Sequence, residues 1–307
     1  MKKVIVFGSM NMDLCISCTK APQAGETVQG QDFFTNPGGK GGNQATAAAR
    51  LGAQTLMLGS VGQDAFGEEL VHTLTQSGVD CTLVRRGKQS TGVAVITRTG
   101  SENCIIVSGG ANLTMTADEV AAELDRHATS GDLFITQYEC NLNTVRQSIC
   151  AAKKRGLYTI FNPAPAHEIP QEVLKSTDLL VVNETECAFQ TGICPENEAE
   201  CREAFVKLHT LGCRNVVITL GAKGSMYLGE QGTCFVPSYP VKQVVDTTGA
   251  GDTFIGGLAA ELVRGTDMQT AMHFATRASA AAVSKAGAQQ SIPTREELPP
   301  EQEESRI

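Results

Sequence analysis

Short apolar runs alternate with longer amphipathic stretches over most of the chain, and this alternation limits the possible folds more than any other feature. The candidate strands are Lys3–Phe7, Thr55–Leu58, Leu133–Thr136, Thr159–Phe161, Leu179–Val182, Val216–Thr219 and Ser225–Leu228. The candidate helices between them are Asn43–Leu51, Ala65–Gln76, Ala117–Arg126, Leu142–Arg155, Glu198–Leu211, Thr253–Val263 and Met268–Ser284. Strands rich in Val, Ile and Leu without polar alternation are typical of sheets covered on both faces. The pattern therefore predicts an α/β fold with three layers, in which helices sandwich a mostly parallel, Rossmann-like central sheet.

Two segments depart from this alternation, because they contain hairpin-like strands without helices. The first pairs Leu14–Thr19 with Val28–Phe34, and the second pairs Gly92–Thr97 with Cys104–Ser108. They predict a small second β-sheet that serves either as a lid over a site or as an oligomer contact. We expect one domain over residues 1–294, with lid strands at about 14–35 and 91–108, followed by a short acidic tail over 295–307 that frays.

Composition excludes several classes of function. The chain has 307 residues and a formal net charge of −8, which argues against a nucleic-acid or acidic-membrane partner because both need a basic face. No apolar stretch reaches the length of a membrane span, and the N-terminal apolar run is too short for a signal peptide. The 11 cysteines are scattered, and the pair Cys15 and Cys18 lacks the further ligands of a zinc site. We expect a cytoplasmic protein with free thiols.

The segment DTTGAGDTFIGG at 246–257 is the strongest candidate for chemistry. A predicted strand, Val241–Val245, leads into a glycine turn, and a predicted helix follows. The turn consists of Gly249, Ala250 and Gly251. At a helix N-terminus the unpaired N–H groups and the positive end of the helix dipole converge on whatever lies in front, and glycines let a ligand approach the backbone closely. The turn is therefore a predicted anion hole.

The aspartate that follows this turn, Asp252, has two possible roles. An acid in a simple phosphate site would repel the ligand, whereas an acid beside an attacking hydroxyl could accept its proton during phosphoryl transfer. The alternative is a structural N-cap of the helix, which is common for aspartate. The residue by itself does not decide between them.

A second glycine-rich turn, GGKGGN at Gly38–Asn43, enters the first predicted helix. It does not fit a Walker A loop, and Gln44 replaces the third glycine of a dinucleotide-binding fingerprint. Lys40 and Asn43 offer hydrogen-bond donors to a polyhydroxy ligand. A tight turn from strand to helix, without any ligand, is the alternative.

Other polar residues follow predicted strands, at the edge where open α/β sheets bind ligands. Asn11 and Asp13 follow the first strand, and Glu139 follows Leu133–Thr136. Asn183 and Glu186 follow Leu179–Val182 and lie on one side of a helical turn, where they could order a magnesium–phosphate complex through water. The alternative for this last pair is a capping box. We expect all five polar clusters (11–13, 38–43, 139, 183–186 and 246–252) to follow strands of one sheet.

Taken together, these motifs resemble the ribokinase branch of the carbohydrate kinase (PfkB) superfamily over nearly the whole chain. The two signature regions are GGKGGNQATAAARLGA and DTTGAGDTFIGG. The supporting blocks are GSMNMD, STGVAVI, GGAN at 109–112, NPAPA at 162–166, NETE, TLGAKG at 219–224 and KAGAQQSIP at 285–293.

The resemblance implies transfer of the γ-phosphate of ATP to the primary hydroxyl of a sugar, with D-ribose favoured, Mg²⁺ required, K⁺ activating and a homodimer formed through the small sheet. It assigns the base to Asp252 and the anion hole to Gly249, Ala250 and Gly251. The sugar contacts it implies are Asn11, Asp13, Gly39, Lys40, Asn43 and Glu139. The nucleotide positions are Asn183, Thr219, Gly221, Gly224, Gly251 and, near the adenine, Thr276, with Glu186 as the magnesium-associated acid. The potassium positions are Asp246, Thr248, Ala282, Lys285, Gly287 and Ser291, several of them through backbone carbonyls.

The chain departs from the family pattern at three of these positions. Gly42 replaces an alanine in the first signature, Thr276 stands where relatives carry Asn or His, and Lys285 lies in the potassium loop. Close relatives phosphorylate deoxyribose and other small sugars with much the same contact set. A kinase for another small sugar or a nucleoside therefore remains an alternative, as does a sugar-binding regulator without catalysis.

Overall fold

The structure, a computed structural model, describes residues 2–99 and 102–300. The strands in this part of the chain are β1 (Val4–Phe7), β2 (Asn11–Cys18), β3 (Gly30–Gly38), β4 (Thr55–Gly62), β5 (Val79–Gly87), β6 (Gly92–Thr99), β7 (Glu102–Ser108), β8 (Leu133–Gln137), β9 (Tyr158–Asn162), β10 (Leu179–Asn183), β11 (Val216–Thr219), β12 (Gly224–Gly229) and β13 (Gly232–Pro237). The α-helices are α1 (Lys40–Arg50), α2 (Ala65–Gln76), α3 (Ala117–His127), α4 (Leu142–Lys154), α5 (Gln171–Ser176), α6 (Glu184–Thr191), α7 (Glu198–Thr210), α8 (Ala250–Leu262) and α9 (Met268–Val283). Short 3₁₀ turns cover Gly110–Leu113, Gly221–Lys223 and Arg295–Glu297.

The main sheet has the strand order β13-β12-β11-β10-β9-β8-β1-β4-β5 in the described residues. The seven strands from β11 to β5 pair in parallel, whereas β12 and β13 add an antiparallel edge. The mostly parallel sheet predicted from the apolar runs is confirmed.

The main sheet is covered on both faces because its strands alternate their side chains between two cores. Val4 and Val6 of β1 belong to a core with α1, α2, α8 and α9, while Ile5 and Phe7 belong to a core with α3 to α7. Each fully buried aliphatic side chain stabilises the fold by about 1.5–3 kcal/mol. The resulting three layers leave the carboxyl ends of the parallel strands as one open edge.

A second sheet, with the order β3-β2-β6-β7, stands beside the main one. Strand β2 pairs antiparallel with β3 and parallel with β6, and β6 pairs antiparallel with β7. The predicted small sheet is confirmed, and its strands extend further than expected towards the main sheet. Asn11 and Asp13 consequently lie on β2 itself, and Gly38 is the last residue of β3.

Several expectations about elements are wrong. The predicted strand Val241–Val245 is irregular and partly exposed, so the 246–252 cluster follows no strand. The 38–43 cluster follows a strand of the small sheet and not of the main one. Helices α1 and α8 each begin three residues earlier than expected, at Lys40 and Ala250. Strands β5 and β13 and helices α5 and α6 were not predicted.

Three further expectations concern the ends and the chemistry of the chain. Of the predicted tail, residues 295–300 are described and Arg295 pairs with Glu261 of α8, while 301–307 lie outside the described residues. All the cysteines are free thiols, as expected. In the described ranges no helix is long and apolar enough to cross a membrane, and no cluster of three or more His, Cys, Asp or Glu residues could hold a metal.

Candidate active site

The entry to α1 is the structural link between the two sheets. Gly39 is its N-cap residue with a φ of 85°, and a Cβ there would lie 2.7 Å from the backbone nitrogen of Asn11. Only glycine fits both the left-handed backbone and this close approach. The turn places Lys40, Asn43 and Gln44 at the start of α1, facing the carboxyl edge of the main sheet.

The start of α8 lies opposite and carries the predicted anion hole. Gly249 is the N-cap residue with a φ of 75°, and the space where a Cβ of Gly251 would stand is open. The first N–H groups of a helix have no acceptor within it and attract negative charge. The N–H of Ala250 already donates to the carbonyl oxygen of Thr247 (3.2 Å), so Gly249 and Gly251 are the better candidates for an anion.

Asp252 lies in the first turn of α8 and is buried. It is not the N-cap residue, so the structural alternative considered for it is wrong. Its Oδ2 accepts a hydrogen bond from Asn43 Nδ2 (2.9 Å) and its Oδ1 accepts one from Gln44 Nε2 (2.9 Å). Burial raises the pKa of Asp252, while nearby Lys40 and these two hydrogen bonds oppose the increase. A buried carboxylate with an elevated pKa is suited to accept a proton.

Lys40 lies among three carboxylates. Burial lowers the pKa of its amine, but the negative charges of Asp252, Glu139 and Glu186 outweigh this effect and the pKa is raised. Lys40 is therefore a fixed positive charge at the point where the sheet edge, α1 and α8 meet.

A cavity of about 220 Å³ opens at this point. Its lining includes residues predicted for catalysis, for the sugar and for the nucleotide: Lys40, Asn183, Glu186, Thr219, Gly249, Gly251 and Asp252. Gly221, Gly224 and Thr276 are not among the described residues that line it. The structure thus brings Asp252, Lys40 and most of the predicted nucleotide contacts to one cavity, whereas the predicted sugar contacts Asn11, Asp13, Gly39, Asn43 and Glu139 are not among the described residues that line it.

The remaining predicted sugar contacts surround the entry to α1. The backbone N–H of Lys40 donates to Glu139 Oε2 (3.1 Å), and the Ser9 hydroxyl donates to the same oxygen (2.5 Å). Asn112 Nδ2 donates to Asn11 Oδ1 (2.7 Å). Burial, together with the charge of Glu139, raises the pKa of Asp13 to about 7. Asp13 and Glu139 therefore form a second acidic pair on the small-sheet side of the cavity.

On the opposite side, Asn183 and Glu186 form a capping box at the start of α6. The structural alternative considered for this pair is therefore confirmed. Glu186 is nevertheless buried and lines the cavity, and its Oε2 also accepts a hydrogen bond from Asn162 Nδ2 (3.2 Å). Burial raises the pKa of Glu186, although its hydrogen bonds and Lys40 act in the other direction. The cap and a role in ligand binding are compatible.

The loop that precedes α8 meets the loop that follows α9. Asp246 Oδ1 accepts hydrogen bonds from the N–H (2.9 Å) and hydroxyl (2.6 Å) of Thr248, and its Oδ2 accepts one from the N–H of Gly287 (3.1 Å). Burial raises the pKa of Asp246, but these hydrogen bonds more than offset it and the pKa is lowered. The carbonyl of Val283 accepts from the N–H groups of Val245 and Asp246. The predicted cation positions thus share one loop pair, and the Lys285 amine is directed to Glu297 (3.4 Å).

Sequence reasoning missed three amide residues of this site: Gln44, Gln137 and Asn162. All are buried, and they form hydrogen bonds with one another and with Asp252 or Glu186. Gln44 was noted only because it breaks a dinucleotide fingerprint, and Asn162 only as part of the NPAPA block. A glutamine near the start of a helix that is rich in glycine and alanine was the available signal.

A buried acid in the first turn of a helix, in a cavity at the carboxyl edge of a parallel sheet, is typical of enzymes that act on small molecules. A family model described as "pfkB family carbohydrate kinase" matches residues 1–295. The chain belongs to this family of carbohydrate kinases.

Relatives at the level of sequence and structure agree with this assignment. The chain is 39% identical over 302 residues to a bifunctional ribokinase/ribose-5-phosphate isomerase A of Fructilactobacillus sanfranciscensis, covering 97% of this chain but only 56% of that longer relative. It is 35% identical over 301 residues to a deoxyribokinase of Salmonella typhimurium, covering 96% and 97% of the two chains. The structure of Arabidopsis thaliana ribokinase complexed with ribose and ATP matches with a TM-score of 0.87 at 32% identity, covering 96% of this chain and 97% of that one.

Proposed function

We propose that the protein transfers the γ-phosphoryl group of ATP to the primary 5-hydroxyl of D-ribose, giving D-ribose 5-phosphate and ADP. The observation that carries the proposal is the position of Asp252, which is buried at the N-terminus of α8 in a cavity also lined by Lys40 and by the predicted nucleotide contacts Asn183, Thr219 and Gly251. The similarity to a ribokinase complexed with ribose and ATP supports the choice of substrates.

In the proposed reaction, the carboxylate of Asp252 accepts the proton of the sugar hydroxyl. The hydroxyl oxygen forms a bond to the γ-phosphorus, and the bond from that phosphorus to the oxygen of the β-phosphate breaks. Negative charge on the transferring oxygens is stabilised by the N–H groups at the start of α8 and by the amine of Lys40. The hydroxyls of the sugar bind the side chains of Asn11, Asp13 and Asn43 and the acid Glu139.

The donor sets fit the two metal ions that the family resemblance implies. Glu186 Oε2 already accepts hydrogen bonds from Asn162 Nδ2 and from the N–H of Asn183. Glu186 and Asn183 would therefore hold Mg²⁺ through water. Mg²⁺ supplies charge neutralisation for the phosphates when bound. Asp246, whose pKa is lowered, and the backbone carbonyls of Ala282, Lys285, Gly287 and Ser291 are the oxygen atoms that would hold K⁺. Thr248 and Gly287 hold the Asp246 carboxylate in that loop.

The test is ADP release with magnesium and a panel of D-ribose, 2-deoxy-D-ribose, D-fructose, D-tagatose and adenosine, each with and without potassium. We expect turnover that is selective for ribose and raised by potassium. Selective turnover of another member of the panel would support the proposed phosphoryl transfer but identify a different substrate. Absence of turnover on all of them would favour a sugar-binding regulator and refute the proposal.

A deoxyribose kinase is the second candidate, because a deoxyribokinase is 35% identical to this chain over its whole length. Asp13 is the residue expected to distinguish the two sugars, since a buried acid can accept a hydrogen bond from the 2-hydroxyl. Asp13→Ala should reduce the preference for ribose over 2-deoxyribose in kcat/KM. An unchanged preference would show that Asp13 does not contact this hydroxyl.

We also propose that the small sheet forms the interface of a homodimer. It exposes several large apolar side chains, namely Phe33 (63%), Ile105 (58%), Ile106 (73%) and Val107 (55%). Large exposed apolar side chains on one small sheet are typical of an interaction surface. Sedimentation should show a dimer that Ile106→Asp dissociates, and a monomeric parent protein would refute the assignment.

A further inference from the structure

A chain of buried side-chain amides runs from the base of the proposed reaction towards the nucleotide side. Gln137 Nε2 donates to Gln44 Oε1 (2.6 Å), and Gln44 Nε2 donates to Asp252 Oδ1 (2.9 Å) and to Asn162 Oδ1 (3.4 Å). Asn162 Nδ2 in turn donates to Glu186 Oε2 (3.2 Å) and to the carbonyl of Val181 (3.1 Å). The chain therefore joins the two acids of the cavity, Asp252 and Glu186, through two amides.

The direction of each hydrogen bond in this chain is fixed. An ionised carboxylate only accepts, so the nitrogen of Gln44 must face Asp252. Its oxygen then faces Gln137, whose Nε2 donates to it at 2.6 Å. Rotating the Gln44 amide by half a turn would place Gln44 Oε1 against Asp252 Oδ1 and Gln44 Nε2 against Gln137 Nε2. The carboxylate of Asp252 thus sets the orientation of Gln44, and Gln137 satisfies the amide oxygen of Gln44 that faces away from Asp252.

Burial makes the loss of any of these hydrogen bonds costly. Gln44 and Gln137 are fully buried and Asn162 is 6% exposed, so water cannot replace a lost partner. Burial alone favours the neutral form of Asp252, and the charge of Lys40 together with the hydrogen bonds from Asn43 and Gln44 counters it by stabilising the charged form. Asn43 is also a candidate sugar contact, whereas Gln44 is engaged entirely with protein atoms.

We propose that Gln44 is the positioning residue of the base: it fixes the orientation of the Asp252 carboxylate, and Gln137 satisfies the amide oxygen of Gln44 on the other side. The inference rests on the proposed kinase function, in which Asp252 accepts the proton of the sugar. The bond from Gln44 to Asn162 extends the same arrangement to Glu186, so both acids are oriented by one network.

The test replaces the amides without large changes in volume. Gln44→Met removes the donor to Asp252 and should lower kcat about tenfold or more, while KM for the sugar changes little. Because a hydrogen bond to the charged form is lost, the acid limb of the kcat–pH profile should move to higher pH. Gln44→Glu places a second acid beside Asp252 and should move that limb further in the same direction.

Two further variants separate positioning from general destabilisation. Gln137→Met should move the acid limb in the same direction but less, and the effects of Gln44→Met and Gln137→Met should be less than additive. Thr46→Val is the matched control, because Thr46 lies on the same helix, is fully buried, and its hydroxyl has no partner among the described residues. Its pH profile should coincide with that of the parent protein.

A direct titration keeps the inference testable if no sugar is turned over. The Asp252 carboxyl signal in ¹³C-labelled protein, assigned by its loss in Asp252→Asn, should titrate at higher pH in Gln44→Met than in the parent. An unchanged titration, or a fall in kcat with an unmoved acid limb, would overturn the proposal and leave Gln44 a structural residue. A parent protein that titrates as expected but phosphorylates nothing would refute the proposed function and not this role.

Discussion

The affinity for the sugar should depend on pH through Asp13. Burial and the charge of Glu139 raise the pKa of Asp13 to about 7 in the sugar-free protein. Hydrogen bonds from sugar hydroxyls to an ionised acceptor are stronger than those to a neutral one. The sugar should therefore bind the ionised form of Asp13 preferentially, and lowering the pH should weaken binding.

The size of the effect follows from this pKa. With a value of about 7, the ionised fraction falls from about 90% at pH 8 to about 10% at pH 6. If only the ionised form binds, the dissociation constant for D-ribose rises about tenfold over that interval, which corresponds to about 1.4 kcal/mol. Binding at pH 7 should also release about half a proton from Asp13.

Isothermal titration calorimetry of D-ribose binding in the absence of ATP measures both quantities, with proton release obtained from buffers of different ionisation enthalpy. Asp13→Asn is the matched control, since the amide has the same shape but does not titrate, and its dissociation constant should vary little with pH. A parent protein whose affinity is the same at pH 6 and pH 8 would refute the reasoning. Tighter binding at pH 6 would show that the neutral acid is the binding form.

Three other outcomes are expected. Asp252→Asn should lower kcat by about 10²–10⁴ while calorimetry finds ribose affinity within a few-fold of the parent, and an active variant would remove Asp252 from the role of base. Asp13→Asn should raise the melting temperature of the sugar-free protein at pH 8 by several degrees but have little effect at pH 4. The folded protein holds the Asp13 proton more tightly than the unfolded chain, so the free energy of unfolding falls as pH rises towards the folded pKa of about 7. Equal melting temperatures at pH 8 would contradict this. Asp246→Ala should abolish the response of turnover to potassium and leave the magnesium requirement intact. ADP release with and without each ion measures both effects. A retained potassium response would show that potassium binds elsewhere.

The strands of the main sheet could be predicted because they are fully apolar and buried on both faces. Val4–Phe7 and Val216–Thr219 have no polar alternation that would suggest another environment. By contrast, β5 has the sequence VDCTLVRRG, whose charged residues hide a strand at the edge of the sheet. Val241–Val245 is the opposite case, because three of its five residues are valines but it pairs with no strand in the described part of the chain. Local composition does not record whether a partner strand is available.

The site was predictable where residue type alone limits the chemistry. A glycine turn followed by an acid, as at Gly249–Asp252, is compatible with few functions. The same is true of the lysine in the first signature. The amides were not predictable, because glutamine and asparagine occur in every structural context and their role at this site depends on contacts between distant segments. Gln44 and Gln137 are 93 residues apart in sequence and 2.6 Å apart at their side-chain ends.

The predicted contacts are divided between two parts of the fold, and this has a consequence for how substrate choice can change. Asn11 and Asp13 lie on a strand of the small sheet, whereas the proposed base, Asp252, lies on α8 of the main body. On the proposed assignment, a substitution on β2 would alter which hydroxyls are accepted without moving the group that removes the proton. Substrate preference and chemical competence would then be nearly separate properties, each set by a different element of the fold.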